Sequence, residues 1–106
     1  MGKVEFDKEK IIYKINGIEI QTLWNEIWSI HCYKYDYITH EKACLVINHE
    51  NGEFIEIIED TIGWRELANN LHLYLKVKEK EWYEVLKCSK PSNKTNEIYK
   101  REILCL

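Results

Sequence analysis

Two Asn-Gly pairs, Asn16-Gly17 and Asn51-Gly52, most constrain what this chain can become. Each lies between runs rich in Ile, Val, Tyr and Phe, and Asn-Gly is the dipeptide that most readily takes the left-handed turn a tight hairpin needs. A two-residue type I′ loop at Asn16-Gly17 sets Ile15 opposite Ile18, Tyr13 opposite Ile20 and Ile11 opposite Thr22 on one face. Lys14, Glu19 and Gln21 then fall on the other face, so the pattern agrees with itself. At Asn51-Gly52 the same loop would place Glu50 against Glu53 and Ile47 against Glu56, pairing like charges and mixing the faces. A three-residue loop, Glu50-Asn51-Gly52 with Gly52 left-handed, instead pairs Ile47 with Ile55, Leu45 with Ile57 and His49 with Glu53. The three-residue form is the expectation.

Around these hairpins the rest of an antiparallel meander can be placed. Residues 3 to 6 read as a first strand. Trp24-Asn25-Glu26 reads as a short connection into a strand running to about Asp36, with Trp28, Ile30 and Cys32 on one face and Ser29, His31, Tyr33 and Tyr35 on the other. Asp36 to Lys42 reads as a polar, exposed loop. About six strands therefore precede any helix. Trp64, Leu67, Ala68, Leu71, Tyr74 and Leu75 recur at three- and four-residue spacing, which predicts one long helix capped by Asp60 or Thr61. Trp82, Val85 and Leu86 predict a second, shorter helix ending near Cys88. Ser89 to Asn96 carries the only proline and reads as a loop, before Ile98, Tyr99, Ile103 and Leu104 in a final strand or docked tail. The expectation is one α+β domain over 1–106: strand meander 1–60, helical part 61–88, loop and docked tail 89–106.

Composition narrows the function classes. Charges interrupt every apolar run well short of the roughly 18 residues needed to cross a bilayer, so no membrane segment is expected. The acidic start, Glu5 and Asp7, is unlike a secretory signal, and a cytoplasmic protein is expected. Residues 1–75 hold 7 basic and 13 acidic groups, net −6, and residues 76–106 hold 8 basic and 5 acidic, net +3. An acidic body repels phosphate backbones and attracts a basic protein, so a protein partner is expected and nucleic acid is not.

Catalytic and metal chemistry find little support. Cys32, Cys44, Cys88 and Cys105 form no Cys-x-x-Cys pair. His31 and Cys32 are adjacent on a strand and point to opposite faces; His40, Cys44 and His49 are the nearest approach to a ligand set. Glu50, Glu53, Glu56, Glu59 and Asp60 read as a solvated or capping face rather than an acid-base pair, and neither Cys32 nor Cys44 opens a helix where a thiolate would be stabilised. No cofactor and no catalysis are expected, the minority reading being a small enzyme built on His31 or His40. Trp64 and Trp82 read as core. Tyr33, Tyr35 and Tyr37 share a strand face and form an aromatic ridge, either an anchor for a protein partner or a surface covered by residues 97–106.

Taken together, Trp24-Asn25-Glu26-Ile27 with Ile30, Tyr33-Lys34-x-Asp36, Cys44-Leu45, Glu59-Asp60-x-x-Gly63-Trp64-x-x-Leu67 with Leu71, Trp82, and Asn96-x-x-Tyr99-x-Arg101 carry a resemblance. The chain resembles a group of small uncharacterised bacterial cytoplasmic proteins, and its strand order, Trp-x-Glu-Ile turn and following helix resemble pleckstrin-homology-like (PH-like) domains. Ser92 and Asn93 depart from that pattern, which has an aromatic residue just after the proline. The resemblance implies a PH-like half barrel and similarity to immunity proteins, which neutralise a bacterial toxin by occlusion. An alternative it implies is a regulatory module that binds a peptide or headgroup. Tyr33, Lys34, Tyr35, Asp36, Tyr37, Glu53, Glu59, Asp60 and Arg101 are the candidate binding residues. Tyr33, Lys34, Asp36, Glu59, Asp60 and Arg101 could equally be a buried cluster tying strand, helix start and tail together.

Overall fold

The fold, described in a computed structural model over residues 2–37, 40–88 and 95–101, grows from the two hairpins. Strands β1 (Lys3–Phe6), β2 (Lys10–Ile15) and β3 (Ile18–Leu23) form one antiparallel sheet. Ile15 faces Ile18, Tyr13 faces Ile20 and Ile11 faces Thr22, with Asn16 and Gly17 both at positive φ, as a type I′ loop requires. A 3-10 turn, Trp24–Glu26, leads to β4 (Ile27–Tyr37), β5 (His40–His49) and β6 (Phe54–Ile58). The second hairpin takes the three-residue loop: Ile47 faces Ile55, Leu45 faces Ile57, the His49 amide donates to Glu53 O at 2.8 Å, and Gly52 has φ +92. With β7 (Asn96–Lys100) these strands make a second sheet in the order β6-β5-β4-β7. The molecule is thus α+β with seven described strands in two sheets, not six in one meander.

Four further expectations are corrected. Residues 36–37 and 40–42 belong to strands, not to a loop: the ladder continues through Asp36↔Glu41 to Tyr37↔His40, because nothing in that stretch breaks the alternation. In β4 a register shift between Ile27 and Ser29 sets Trp28 apart from Ile30. Ile27 takes the core position, and Trp28 lies half-buried with the Arg101 guanidinium 5.8 Å from its ring centre.

The long helix is short. Helix α1 spans Trp64–Asn70 and passes into a 3-10 turn, Leu71–Leu73. Asn69-Asn70 ends it, since asparagine side chains compete for backbone groups; Asn70 Nδ2 donates to Glu66 O at 2.6 Å. Neither Asp60 nor Thr61 caps it. Gly63 does so in a left-handed conformation, φ +91, because a side chain there would collide with the Val4 carbonyl of β1. The apolar stripe still packs inward: Trp64, Leu67, Ala68, Leu71 and Leu75 are buried and Tyr74 stacks on Trp24 at 4.7 Å. Helix α2 (Trp82–Lys87) lies against β4.

One core results. Ile30, Cys32, Leu45, Ile47, Ile55 and Ile57 line the inner face of the large sheet, and the first sheet supplies Val4, Ile11 and Tyr13. The helices add Trp64, Leu67, Leu71, Trp82, Tyr83 and Leu86. Trp64 and Trp82 are core, as their spacing implies, with rings 6.4 Å apart edge to face. Expectations for residues 89–94 and for Ile103 and Leu104 lie outside the described residues.

Candidate functional site

Because side chains alternate along each strand, burying Ile30, Cys32, Leu45, Ile47, Ile55 and Ile57 directs their neighbours to the opposite face of the large sheet. Register fixes that outer face row by row: Ser29, Asn48 and Phe54; His31, Val46 and Glu56; Tyr33, Cys44 and Ile58; then Tyr35 and Lys42. Phe54 is 60% exposed and Ile58 39%, while His31, Tyr33, Tyr35 and Val46 are half-buried. Among the described residues both helices pack into the core, and the first sheet reaches this outer face at one end, where Tyr13 and Ile15 line a cleft with Tyr35, Lys42 and Ile58. Asn96–Lys100, one possible cover for the tyrosines, pairs instead with the edge of β4 at residues 29–32.

Tyr33 and Tyr35 share this face with ring centres 5.9 Å apart, both half-buried; the side chain of Tyr37, the third member of the expected ridge, lies outside the described residues. The Tyr33 phenol is hydrogen-bonded to the Cys44 thiol, and this bond, then burial, holds it far above the ordinary phenol range. Burial likewise raises Cys44, and pushes Cys32 on the inner face up to about 11. Both thiols are therefore held protonated and are poor nucleophiles. Among the described residues no three His, Cys, Asp or Glu side chains converge on a point that could hold a metal ion. No described helix is long and apolar enough to cross a membrane.

Other candidate residues are engaged in holding the fold. Lys34, with only 12% of its side chain exposed, turns from β4 to donate to Lys87 O at 2.7 Å at the end of α2, where a cation favours the helix dipole, and pairs with Glu41 at 2.9 Å. Glu59 accepts the Ala43 amide at 3.0 Å and the Tyr83 hydroxyl, closing the end of the β5–β6 ladder onto α2. Burial and that carboxylate raise Tyr83 above the ordinary phenol range. Asp60 pairs with Lys42. Arg101 pairs with Glu50 at 2.7 Å and donates to Asn25 O, fastening β7 to the 3-10 turn and the second hairpin. Arg101 sits by Trp28 and Lys34 six residues further along β4, about 20 Å at strand rise, so the single cluster of strand, helix start and tail does not form. Asp36 and Tyr37 close β4, and Glu53, exposed, follows the loop with its amide on Asn51 Oδ1 at 2.9 Å.

A cleft of about 350 Å³ opens where β6 ends, between Tyr13, Ile15, Tyr35, Lys42, Ile58 and Thr61. Its one cation, Lys42, is paired with Asp60, so the cleft offers a shallow apolar and phenolic surface rather than an anion site. Phe54 and Ile58 are the surface residues not singled out by sequence patterning, with the inward placing of Ile55 and Ile57 as the signal for them; Glu56 between them belongs to the acidic run read as a solvated face. No protein-family model, curated protein or solved structure matches the chain.

Proposed function

We propose that this chain is a non-catalytic protein-binding domain that occupies a partner through the outer face of its large sheet, as an immunity protein occludes a bacterial toxin. The observation that carries this is the pair of exposed apolar side chains Phe54 and Ile58, which share a sheet face with the half-buried Tyr33 and Tyr35, with Glu53 and Glu56 beside them. Aromatic and aliphatic anchors beside acidic groups suit a basic protein surface. The two sheets, with helices over one side, support reading the architecture as a PH-like half barrel. A fold of that kind does not itself assign a ligand, so the reading rests on the face. A cytoplasmic location belongs to the same reading. The headgroup-binding alternative is weakened by the Lys42–Asp60 pair in the cleft, and the enzyme alternative by the protonated thiols.

Co-expression with toxin candidates encoded beside the gene tests this. Rescue of growth and a co-purifying complex are expected, both lost in a Phe54→Asp/Ile58→Asp double variant that keeps its native circular dichroism. Absence of rescue and complex, or undiminished rescue by the double variant, would sink the reading.

A further inference from the structure

Strand β6 is the terminal strand of the large sheet, and its backbone bonding leaves a regular row of groups on its outer edge. The His49 amide bonds Glu53 O and the Glu59 amide bonds Ala43 O, so residues 53, 55, 57 and 59 face β5. In an antiparallel ladder the alternate residues, Phe54, Glu56 and Ile58, then direct both backbone groups outward. Among the described residues, only Ile58 O of this set is taken, by the Thr61 amide at 2.9 Å. Of the usual protections the edge has a length of five residues and one charge, Glu56. It has no proline, no lysine and no bulge against β5, and Phe54 and Ile58 are exposed upon it. The facing edge strand β3 does not close over it: a cleft of about 490 Å³ lies between Ile20 and Gln21 on one side and Phe54 and Ile55 on the other.

We infer that β6 accepts an extended segment of a partner protein as an added antiparallel or parallel strand, with an apolar, a cationic and an apolar side chain opposite Phe54, Glu56 and Ile58. The inference rests on the protein-binding reading and narrows it to a backbone-paired contact. Cross-strand pairing selects the occupant. A Lys or Arg opposite Glu56 is favourable, and aliphatic groups opposite Phe54 and Ile58 cover what is now exposed. A second copy fits badly. The full-length antiparallel pairing of β6 with itself sets Phe54 against Ile58 but Glu56 against Glu56, like charges directly opposite. The acidic body, net −6 over residues 1–75, works in the same direction by attracting a basic segment and repelling another copy.

The probe is the peptide Thr-Val-Thr-Lys-Thr-Val-Thr, titrated into the full chain while amide shifts and hydrogen exchange are followed. Saturable binding that slows exchange at the Phe54 and Glu56 amides is expected, weakened about tenfold when Glu replaces the peptide Lys. Glu56→Pro, which removes an outward N–H without touching the β5 ladder, should abolish binding; Glu56→Lys should reverse the preference between the Lys and Glu peptides. Should Glu56→Pro fail to fold, N-methylation of alternate peptide amides tests the same bonds. Equal binding by the N-methylated peptide in both alternations would overturn the inference, as would a wild-type dimer in light scattering that excludes the peptide. Toxin rescue that persists in a folded Glu56→Pro variant would overturn it while leaving the protein-binding reading standing.

Discussion

Gly63 is where the two sheets and α1 are locked together, and a glycine series can weigh that lock. Gly52 and Gly63 have nearly the same φ, +92 and +91, but a Cβ at Gly52 would meet open space, whereas one at Gly63 would overlap the Val4 carbonyl and come within 3.4 Å of Val4 Cγ1. Alanine at either position incurs left-handed strain of roughly 1–2 kcal/mol, offset by about 0.4–1 kcal/mol from a stiffer unfolded chain. Gly52→Ala should therefore cost about 1 kcal/mol. At Gly63 the overlap adds to this. Relieving it moves β1 away, and β1 is held there by Val4 N to Ile62 O at 2.8 Å and Ile62 N to Gly2 O at 3.1 Å. Losing both bonds costs about 2 kcal/mol, for a total near 3 kcal/mol, or a melting temperature lower by about 15 °C. Urea unfolding followed by the four tryptophans measures both variants against wild type. The difference between the two alanines isolates the β1 contact from backbone strain. If Gly63→Ala loses no more than about 0.5 kcal/mol beyond Gly52→Ala, β1 is not seated against the start of α1 and the reasoning fails.

Two further variants probe the groups that hold the fold. Lys34→Met should cost about 1.5 kcal/mol in urea unfolding and lower ellipticity at 222 nm, since α2 loses the cation at its last carbonyl; an unchanged midpoint would free Lys34 for a binding role. Cys32 titrates from about 9.0 in the unfolded chain to about 11 in the fold. Because its folded value is raised, its contribution is intact below pH 9 and is lost as pH rises toward 11, on the order of 2–3 kcal/mol. Cys32→Ala should make the fall of urea midpoints across that window less steep, and an equally steep fall in the variant would assign the loss to the other raised groups, Cys44 and the tyrosines Tyr13, Tyr33 and Tyr83, instead.

Local rules carried much of the fold. Both hairpin registers follow from where Asn-Gly stands relative to the alternation, because a one-residue slip would turn every side chain of a strand to the wrong face. The positions of Trp64, Leu67, Ala68, Leu71 and Leu75 were legible as a buried stripe, but the length of the helix was not. A three-to-four spacing is satisfied equally by α-helix running into a 3-10 turn, and the choice was made by Asn70 bonding its own helix. The bulge at Trp28 was hidden for a related reason. Ile27-Trp28-Ser29-Ile30 alternates acceptably either way, and the neighbour that Trp28 finds on its side of the bulge, the Arg101 guanidinium, comes from 73 positions away.

The same distinction separates the candidate residues. Charged side chains beside aromatic ones, such as Lys34, Glu59 and Arg101, look in sequence like a surface prepared for a partner, and each is instead spent on a backbone carbonyl or amide far along the chain. Those partners, Lys87, Ala43 and Asn25, offer only main-chain groups, which leave no trace in residue identity. Phe54 and Ile58 show the converse. They look like core residues by type, and only the pairing of Ile55 with Ile47 and Ile57 with Leu45 turns them outward. For an antiparallel sheet with one face buried, an apolar residue at the wrong parity on an edge strand is a stronger pointer to a binding surface than a charge at the right one. A charge is readily consumed by an unseen backbone partner, whereas among the described residues Phe54 and Ile58 stay exposed despite their type.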